Sequence, residues 1–205
     1  MLHMVEPFDP AEEREVLRRM FVARKEVFVD LLGWDVPVLD ERYEVDQFDD
    51  EHAVYLVVAG RDGSHLASAR LLPTTRPHIL ADLYGDLCEE DVPRGPDIYE
   101  VTRFCLDRRI DAAARRDARD KLIGALAGFG AANDINRYTG VADMGWFQQI
   151  LAFGWRCRPL GLPRMIDGQM LVALAIEIDE ETPRLLAEAG IRTGQPNAEG
   201  VSHAA

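Results

Sequence analysis

Cysteine is scarce in this 205-residue chain. Cys88, Cys105 and Cys157 are scattered and form no CxxC pair, which leaves neither a disulfide framework nor a zinc knuckle to build on. A reducing cytoplasm is the expected compartment. Positive charge is also short, with 23 Lys and Arg against 36 Asp and Glu for a formal net charge of −13. That balance argues against general phosphate-backbone binding and leaves room only for a local basic patch. No apolar run approaches the roughly 18–20 residues of a membrane span. The first twenty residues carry charges throughout, so no secretory leader is expected. The five histidines, at 3, 52, 65, 78 and 203, show no HxxxH or HExxH spacing, and no metal centre is expected. GxSxG, P-loop and GxGxxG motifs are missing, as are repeats and low-complexity tracts.

What is present reads as one folded domain. Hydrophobic residues are 47% and charged residues 29% of the chain, a globular balance. A body over 1–191 and a frayed polar tail over 192–205 are expected. Val16, Met20, Ala23, Val27 and Leu31 recur at helical spacing, predicting one helix from about 11 to 32. Asp9-Pro10 is its start signal and Gly33 its stop. An acidic stretch over 34–51 shows little helix or strand pattern, and a run of that length is either mobile or functional. A hairpin follows, 53–59 and 65–73 about the turn at 61–64. Further on come a short helix at 79–87, a strand at 97–106, an alanine-rich helix at 112–133 and a strand at 137–142. A helix at 145–153, an almost wholly apolar strand at 169–178 and a last helix at 183–189 complete the order. The fold class is α/β: a single domain with a mixed, mostly antiparallel sheet and helices on both faces. N-acyltransferases share this element order, as do many other folds.

Several residues stand out chemically. Arg24 and Phe28 share a helix face, with Trp34 just beyond: either a surface arginine over core aromatics, or the frame of a site for a charged, ring-bearing ligand. In the acidic stretch, Tyr43, Val45 and Phe48 alternate with Glu44, Asp46, Asp49 and Asp50. Such a segment packs and holds carboxylates that need a cation. Arg70 lies in mid-strand, costly unless paired, and the acidic stretch is its natural partner. Glu100 and Arg103 are three apart on a strand, so either a bulge brings them together or they serve opposite surfaces. A carboxylate among Tyr99, Val101 and Phe104 has its pKa raised by desolvation, which suits it to take a proton from an amine near neutral pH.

Taken together, Arg24-x3-Phe28-x5-Trp34, Glu44-x-Asp46-x2-Asp49, the run from Ala69 through Arg70 to His78, and Glu100-x2-Arg103-Phe104 resemble the acyl-homoserine-lactone (autoinducer) synthase family. Gly154-Trp155 and Leu160-Gly161 resemble its second block, and the likeness spans roughly residues 5–180. Thr102 stands where the family commonly has serine, and Tyr84 where it commonly has phenylalanine.

The resemblance implies a two-substrate reaction. The amine of S-adenosylmethionine attacks an acyl thioester, and the methionine carboxylate then closes the lactone and releases 5′-methylthioadenosine. The product is a quorum-sensing signal, and S-adenosylmethionine is a substrate, with no cofactor. It further implies Glu100 as base, with Arg70, Arg103, Asp46 and Asp49 in the catalytic set. Arg24, Phe28 and Trp34 would frame the S-adenosylmethionine pocket, Arg24 near the helix end being the more exposed arginine. Thr102, Phe104, Gly140, Met144 and Trp146 would meet the substrates, with Phe147, Ile150, Leu151 and Leu171 as further acyl-pocket candidates. Typical acyl-CoA transferases carry a glycine-rich turn before the following helix; here no glycine occurs between Pro96 and Gly124. Arg108, Arg109, Arg115, Arg116, Arg119 and Lys121 fill that stretch, which favours an acidic acyl carrier protein as donor over acyl-CoA. Competing readings are an acyl-CoA-dependent N-acyltransferase for another amine, and a non-catalytic acyl-carrier-binding protein.

Overall fold

The computed structural model describes residues 1–5 and 11–191, so the Asp9-Pro10 start signal and the 192–205 tail lie outside the described residues. The elements are β1 (Leu2–Val5), α1 (Ala11–Arg24), β2 (Val38–Leu39), β3 (Tyr43–Glu44), β4 (Val54–Ala59), β5 (His65–Pro73), α2 (Ile79–Leu83) and β6 (Ile98–Leu106). They continue with α3 (Ala112–Ala132), β7 (Arg137–Asp143), α4 (Met144–Leu151), β8 (Arg156–Pro159), β9 (Arg164–Ile166), β10 (Gln169–Glu177) and α5 (Thr182–Glu188). The main sheet runs β1-β4-β5-β6-β7-β10, with β8 and β9 both pairing with β10. Among the described residues only β6 and β7 are parallel neighbours in it. Among the described residues no helix is long and apolar enough to cross a membrane.

Alternation of side chains along the strands divides the core. Leu56, Val58, Ala69 and Leu71 meet Leu122, Ile123 and Leu126 of α3, with Phe147 and Ile150 of α4 and Leu186 of α5 in the same cluster. The other face sets Tyr55, Val57 and Leu72 against Met20 of α1 and Ile79 of α2. The Asp111 carboxylate caps α3 by accepting from the Ala113 and Ala114 amides, and Asp143 caps α4 through the Trp146 amide.

The expected single helix over 11–32 is not uniform. Beyond Arg24 it widens into a π-helical turn over Lys25–Leu31. The wider turn rotates the inward face, so Phe28 is buried while Leu31, expected in the core, is half exposed. The acidic stretch is not featureless either, since β2 and β3 form a small ribbon in it. Strands β1, β8 and β9 are additions to the sequence-based order.

Two irregularities shape the middle of the sheet. Between Ser68↔Cys105 and Arg70↔Thr102 the β5–β6 register slips, β6 carrying one extra residue. Arg103 takes up the slack with φ 51°, a bulge of the kind the Glu100–Arg103 spacing demanded. Second, β6 and β7 pair only at Ile98↔Arg137, Tyr99↔Tyr138 and Glu100↔Thr139. Beyond that rung β6 stays with β5 and β7 with β10, so the two strands splay.

His65, at the start of β5, is buried, and its Nε2 lies 2.9 Å from Ser68 Oγ. Burial lowers its pKa to about 4, the nearby Asp107 only partly offsetting this. The unfolded chain binds that proton from about pH 6.5 downward, so stability is lost as pH falls from about 6.5 towards 4, by about 3 kcal/mol. Urea unfolding at pH 7, 5 and 4 should show this loss, and His65→Gln should blunt it; identical pH slopes in parent and variant would contradict the assignment.

Candidate active site

The helix end, the acidic stretch and strands β5 and β6 converge on six charged side chains. The Arg24 guanidinium donates to Glu44 Oε2 at 2.5 Å and to both Asp49 oxygens at 2.7 and 2.8 Å. Arg70 donates to both Asp46 oxygens at 2.6 and 3.1 Å and lies 2.8 Å from Asp49. Arg103 closes the circuit, reaching Asp46 at 2.7 Å and Glu44 at 3.0 Å. The order Arg24–Asp49–Arg70–Asp46–Arg103–Glu44 is thus a closed ring of alternating charge. Its side chains are 0–9% exposed.

Outer contacts fix the ring. The Tyr55 hydroxyl donates to Asp49 at 2.9 Å, and the Asp46 amide donates to Asp49 as well. Arg70 Nε donates to Thr102 Oγ1 at 2.9 Å. Burial works against the Asp49 charge, but the Arg24 hydrogen bonds and the Arg24 and Arg70 charges hold it well below the usual carboxylate range. Burial and the neighbouring Asp49 push the Tyr55 phenol up, so it stays a donor.

The expected exposure of Arg24 is corrected here. Its side chain is 1% exposed, because its two carboxylate partners come from residues 44 and 49 and fold over it. Asp46 and Asp49, which the sequence left free to meet either a ligand or an arginine, are taken by arginines. Glu44 and Tyr55 are members that sequence reasoning did not put in the site. Glu44 was one acid among several, and Tyr55 reads as an ordinary strand residue.

Phe28 and Trp34 stack at 4.7 Å beside the ring, and the Arg103 guanidinium sits 5.6 Å from each ring centre. The π turn and Gly33 (φ 69°) bring Trp34 back over Phe28. A flat aromatic pair with a cation at its edge can receive a planar ring.

Glu100 lies on the same sheet face, at the last rung before the splay. Its Oε1 accepts from the Leu80 amide of α2 at 2.9 Å, and Oε2 has no partner among the described residues. Burial pushes its pKa up to about 8, against the pull of the Leu80 amide and the Arg70 charge. On the opposite face Phe104 meets Trp146 at 4.9 Å, and Trp146 meets Phe153. Met144 packs on the same cluster.

Other expectations divide. A Cβ on Gly140 would stand 3.1 Å from the Val101 carbonyl oxygen, so this glycine serves the close approach of β7 to β6. Of the acyl-pocket candidates, Phe147 and Ile150 are plain core, and Leu151 is largely exposed. Leu171 packs with Leu80 and Leu87, across the sheet from Trp146. In the basic stretch, Arg109 pairs with Asp107 and Glu26, Arg119 with Asp120, and Lys121 with Asp117. Arg108 and Arg116 are exposed, and Arg115 is half-buried. A surface groove of about 370 Å³ runs between the π turn and Asp107–Arg109, and one of about 390 Å³ borders Arg19, Arg42 and His65. Neither groove reaches Glu100.

Breaking the ring should destabilise the fold. Arg24→Ala and Arg70→Ala each leave two buried carboxylates with one arginine in place of two, at about 3–5 kcal/mol. Arg24→Lys should rescue little, because one ammonium cannot reproduce the fork held by Glu44 and Asp49. Chemical unfolding tests this; parent-like midpoints for the alanine variants would refute a structural role for the ring.

A family model described as autoinducer synthase matches residues 10–186. An acyl-homoserine-lactone synthase of Ralstonia nicotianae is 34% identical over 166 residues, 78% of this chain and 80% of that one. An isovaleryl-homoserine lactone synthase of Bradyrhizobium diazoefficiens is 28% identical over 202 residues, 96% of this chain and 87% of that one. Among solved structures, the CoA-dependent acyl-homoserine lactone synthase BjaI, with SAM and isopentyl-CoA, aligns at TM-score 0.83 and 27% identity, covering 96% of this chain and 90% of that one. TofI, in a ternary complex with an inhibitor and MTA, aligns at TM-score 0.77 and 27% identity, covering 94% and 98%. An acyl-CoA N-acyltransferase from Pseudomonas aeruginosa, at TM-score 0.54 and 17% identity, shares the fold alone. On the match over residues 10–186, the chain belongs to the autoinducer synthase family.

Proposed function

We propose that this protein is an acyl-homoserine-lactone synthase that acylates the amine of S-adenosylmethionine from an acyl thioester and then forms the lactone. The observation that carries the reading is Glu100, a buried carboxylate with one oxygen unpartnered among the described residues, at the last β6–β7 rung and on the sheet face that also carries Arg70 and Thr102.

The Phe28–Trp34 pair and Arg103 frame the S-adenosylmethionine site; Arg24 acts from beneath, holding Glu44 and Asp49. The ring of Arg24, Arg70, Arg103, Glu44, Asp46 and Asp49 clamps the acidic stretch as one wall. The ammonium of the substrate gives a proton to ionised Glu100, directly or through a water. The amine nitrogen then attacks the thioester carbon, the C–S bond breaks, the departing thiolate takes the second nitrogen proton to leave as a thiol, and an amide is formed. Backbone amides of β6 past the splay, near Thr102 and Phe104, are suited to meet the oxyanion. The methionine carboxylate next displaces the sulfonium at the γ-carbon, closing the lactone and releasing neutral 5′-methylthioadenosine. Trp146, Met144 and Gly140 line the acyl side of the cleft.

The donor reading is an acyl carrier protein, docked on the face that presents Arg108, Arg115 and Arg116, with Arg109, Arg119 and Lys121 at its border. That border is already paired with acids. A second reading, coenzyme A as donor, is favoured by the extent of the likeness to the CoA-dependent BjaI.

Purified protein given S-adenosylmethionine and panels of acyl-carrier proteins and acyl-CoAs should yield acyl-homoserine lactone and methylthioadenosine together by mass spectrometry; neither product from any donor would refute the proposal. Glu100→Gln should lose about 10²–10⁴-fold in turnover. Because the base must be ionised, parent turnover should climb with pH through about 8. Reversal of Arg115 and Arg116 to Glu should raise the apparent KM for an acyl carrier protein, and salt above about 0.1 M should do the same. Faster turnover with the matching acyl-CoA, indifferent to the reversal, would establish coenzyme A as donor.

A further inference from the structure

We propose that Thr139 is a positioning residue for Glu100, its hydroxyl and the free oxygen of Glu100 jointly holding the water or amine through which the proton moves. This inference rests on the reading of Glu100 as proton acceptor. Thr139 is the partner of Glu100 in the parallel β6–β7 ladder, on its final rung. Directly paired residues on neighbouring strands sit about 4.8 Å apart and project to the same side of the sheet. Both side chains are buried, at 0% and 1% exposure.

Each also has a polar atom with no partner. Thr139 Oγ1 and Glu100 Oε2 are two of the buried side-chain polar atoms that make no hydrogen bond among the described residues. They do not hydrogen-bond one another. Buried donors and acceptors are seldom left unpaired, and two such atoms on one rung and one sheet face suit a shared third group. Glu100 Oε1 is already fixed by the Leu80 amide, which leaves Oε2 as the oxygen available to a guest. Gly140, next in β7, is drawn close to the Val101 carbonyl and sets the spacing of this rung. A hydroxyl can donate to the ionised carboxylate's guest and accept from it in turn, which a valine cannot do.

Three variants test this: Thr139→Val, Thr139→Ser and Glu100→Gln. The parent is first shown to make lactone and methylthioadenosine, so failure of the enzyme reading is recognised before Thr139 is judged. Thr139→Val should lower kcat about tenfold or more, leave the KM for S-adenosylmethionine nearly unchanged, and move the rising limb of the pH profile upward. Thr139→Ser should restore both. An activity-independent readout is the infrared band of the protonated Glu100 carboxyl, assigned by its loss in Glu100→Gln. Its titration midpoint should rise by about one pH unit in Thr139→Val, because a hydrogen-bonding route to the ionised form is lost. An unmoved band and pH profile in a folded Thr139→Val would overturn the proposal. So would a change confined to the donor KM or acyl preference, which would make Thr139 an acyl-chain contact instead.

Discussion

The structure depends on a closed circuit of three arginines and three carboxylates, drawn from α1, the acidic stretch, β5 and β6. Desolvating six charges costs more than any one contact returns, and the arrangement is tolerable only because every charge has two opposite neighbours. That requirement makes it cooperative. It also explains how a segment with few apolar residues lies pinned against the sheet. The wall it forms is rigid for an electrostatic reason and would soften as a unit if one member were removed.

The sheet supplies a second constraint. The extra residue at Arg103 puts Glu100, Thr102 and Arg103 on one face, leaving Tyr99, Val101 and Phe104 for the core of the other. Without that bulge, Arg103 would point into the α3 side and the circuit would stay open. The loss of pairing after Glu100 and Thr139 leaves the β7-facing edge of β6 without a ladder partner beyond that rung. The glycines of the later block serve packing: side chains at Gly154 or Gly161 would strike the backbone of Leu185 or Leu87.

Much of this was readable in the chain because its strongest signals are local. The 61–64 turn, the apolar run of β10 and the alanine-rich α3 emerged with boundaries off by a residue or two. The Arg70 pairing followed from the cost of a charge in mid-strand. What escaped was set by distant residues. Arg24 reads as a surface arginine because amphipathic spacing says nothing of carboxylates 20 and 25 positions later. The π turn leaves the apolar spacing intact while turning Leu31 outward. Strands β1 and β8 owe their existence to partners in β4 and β10, their own sequences being short and, in Arg-Cys-Arg-Pro, polar. Thr139 gains meaning only opposite Glu100.

The outer border of β10 has a consequence of its own. A nine-residue apolar strand is a template onto which a foreign strand could add, the starting point of aggregation. Here that border is occupied by two short pieces, β8 and β9, which match it only in part. Between them residues 160–163 form no strand, and Pro159, Pro163, Arg158 and Arg164 are all exposed. Prolines withhold the amides that a growing ladder needs, and like charges repel an identical copy. The most insoluble strand of the molecule is thereby shielded from self-association by a deliberately poor neighbour.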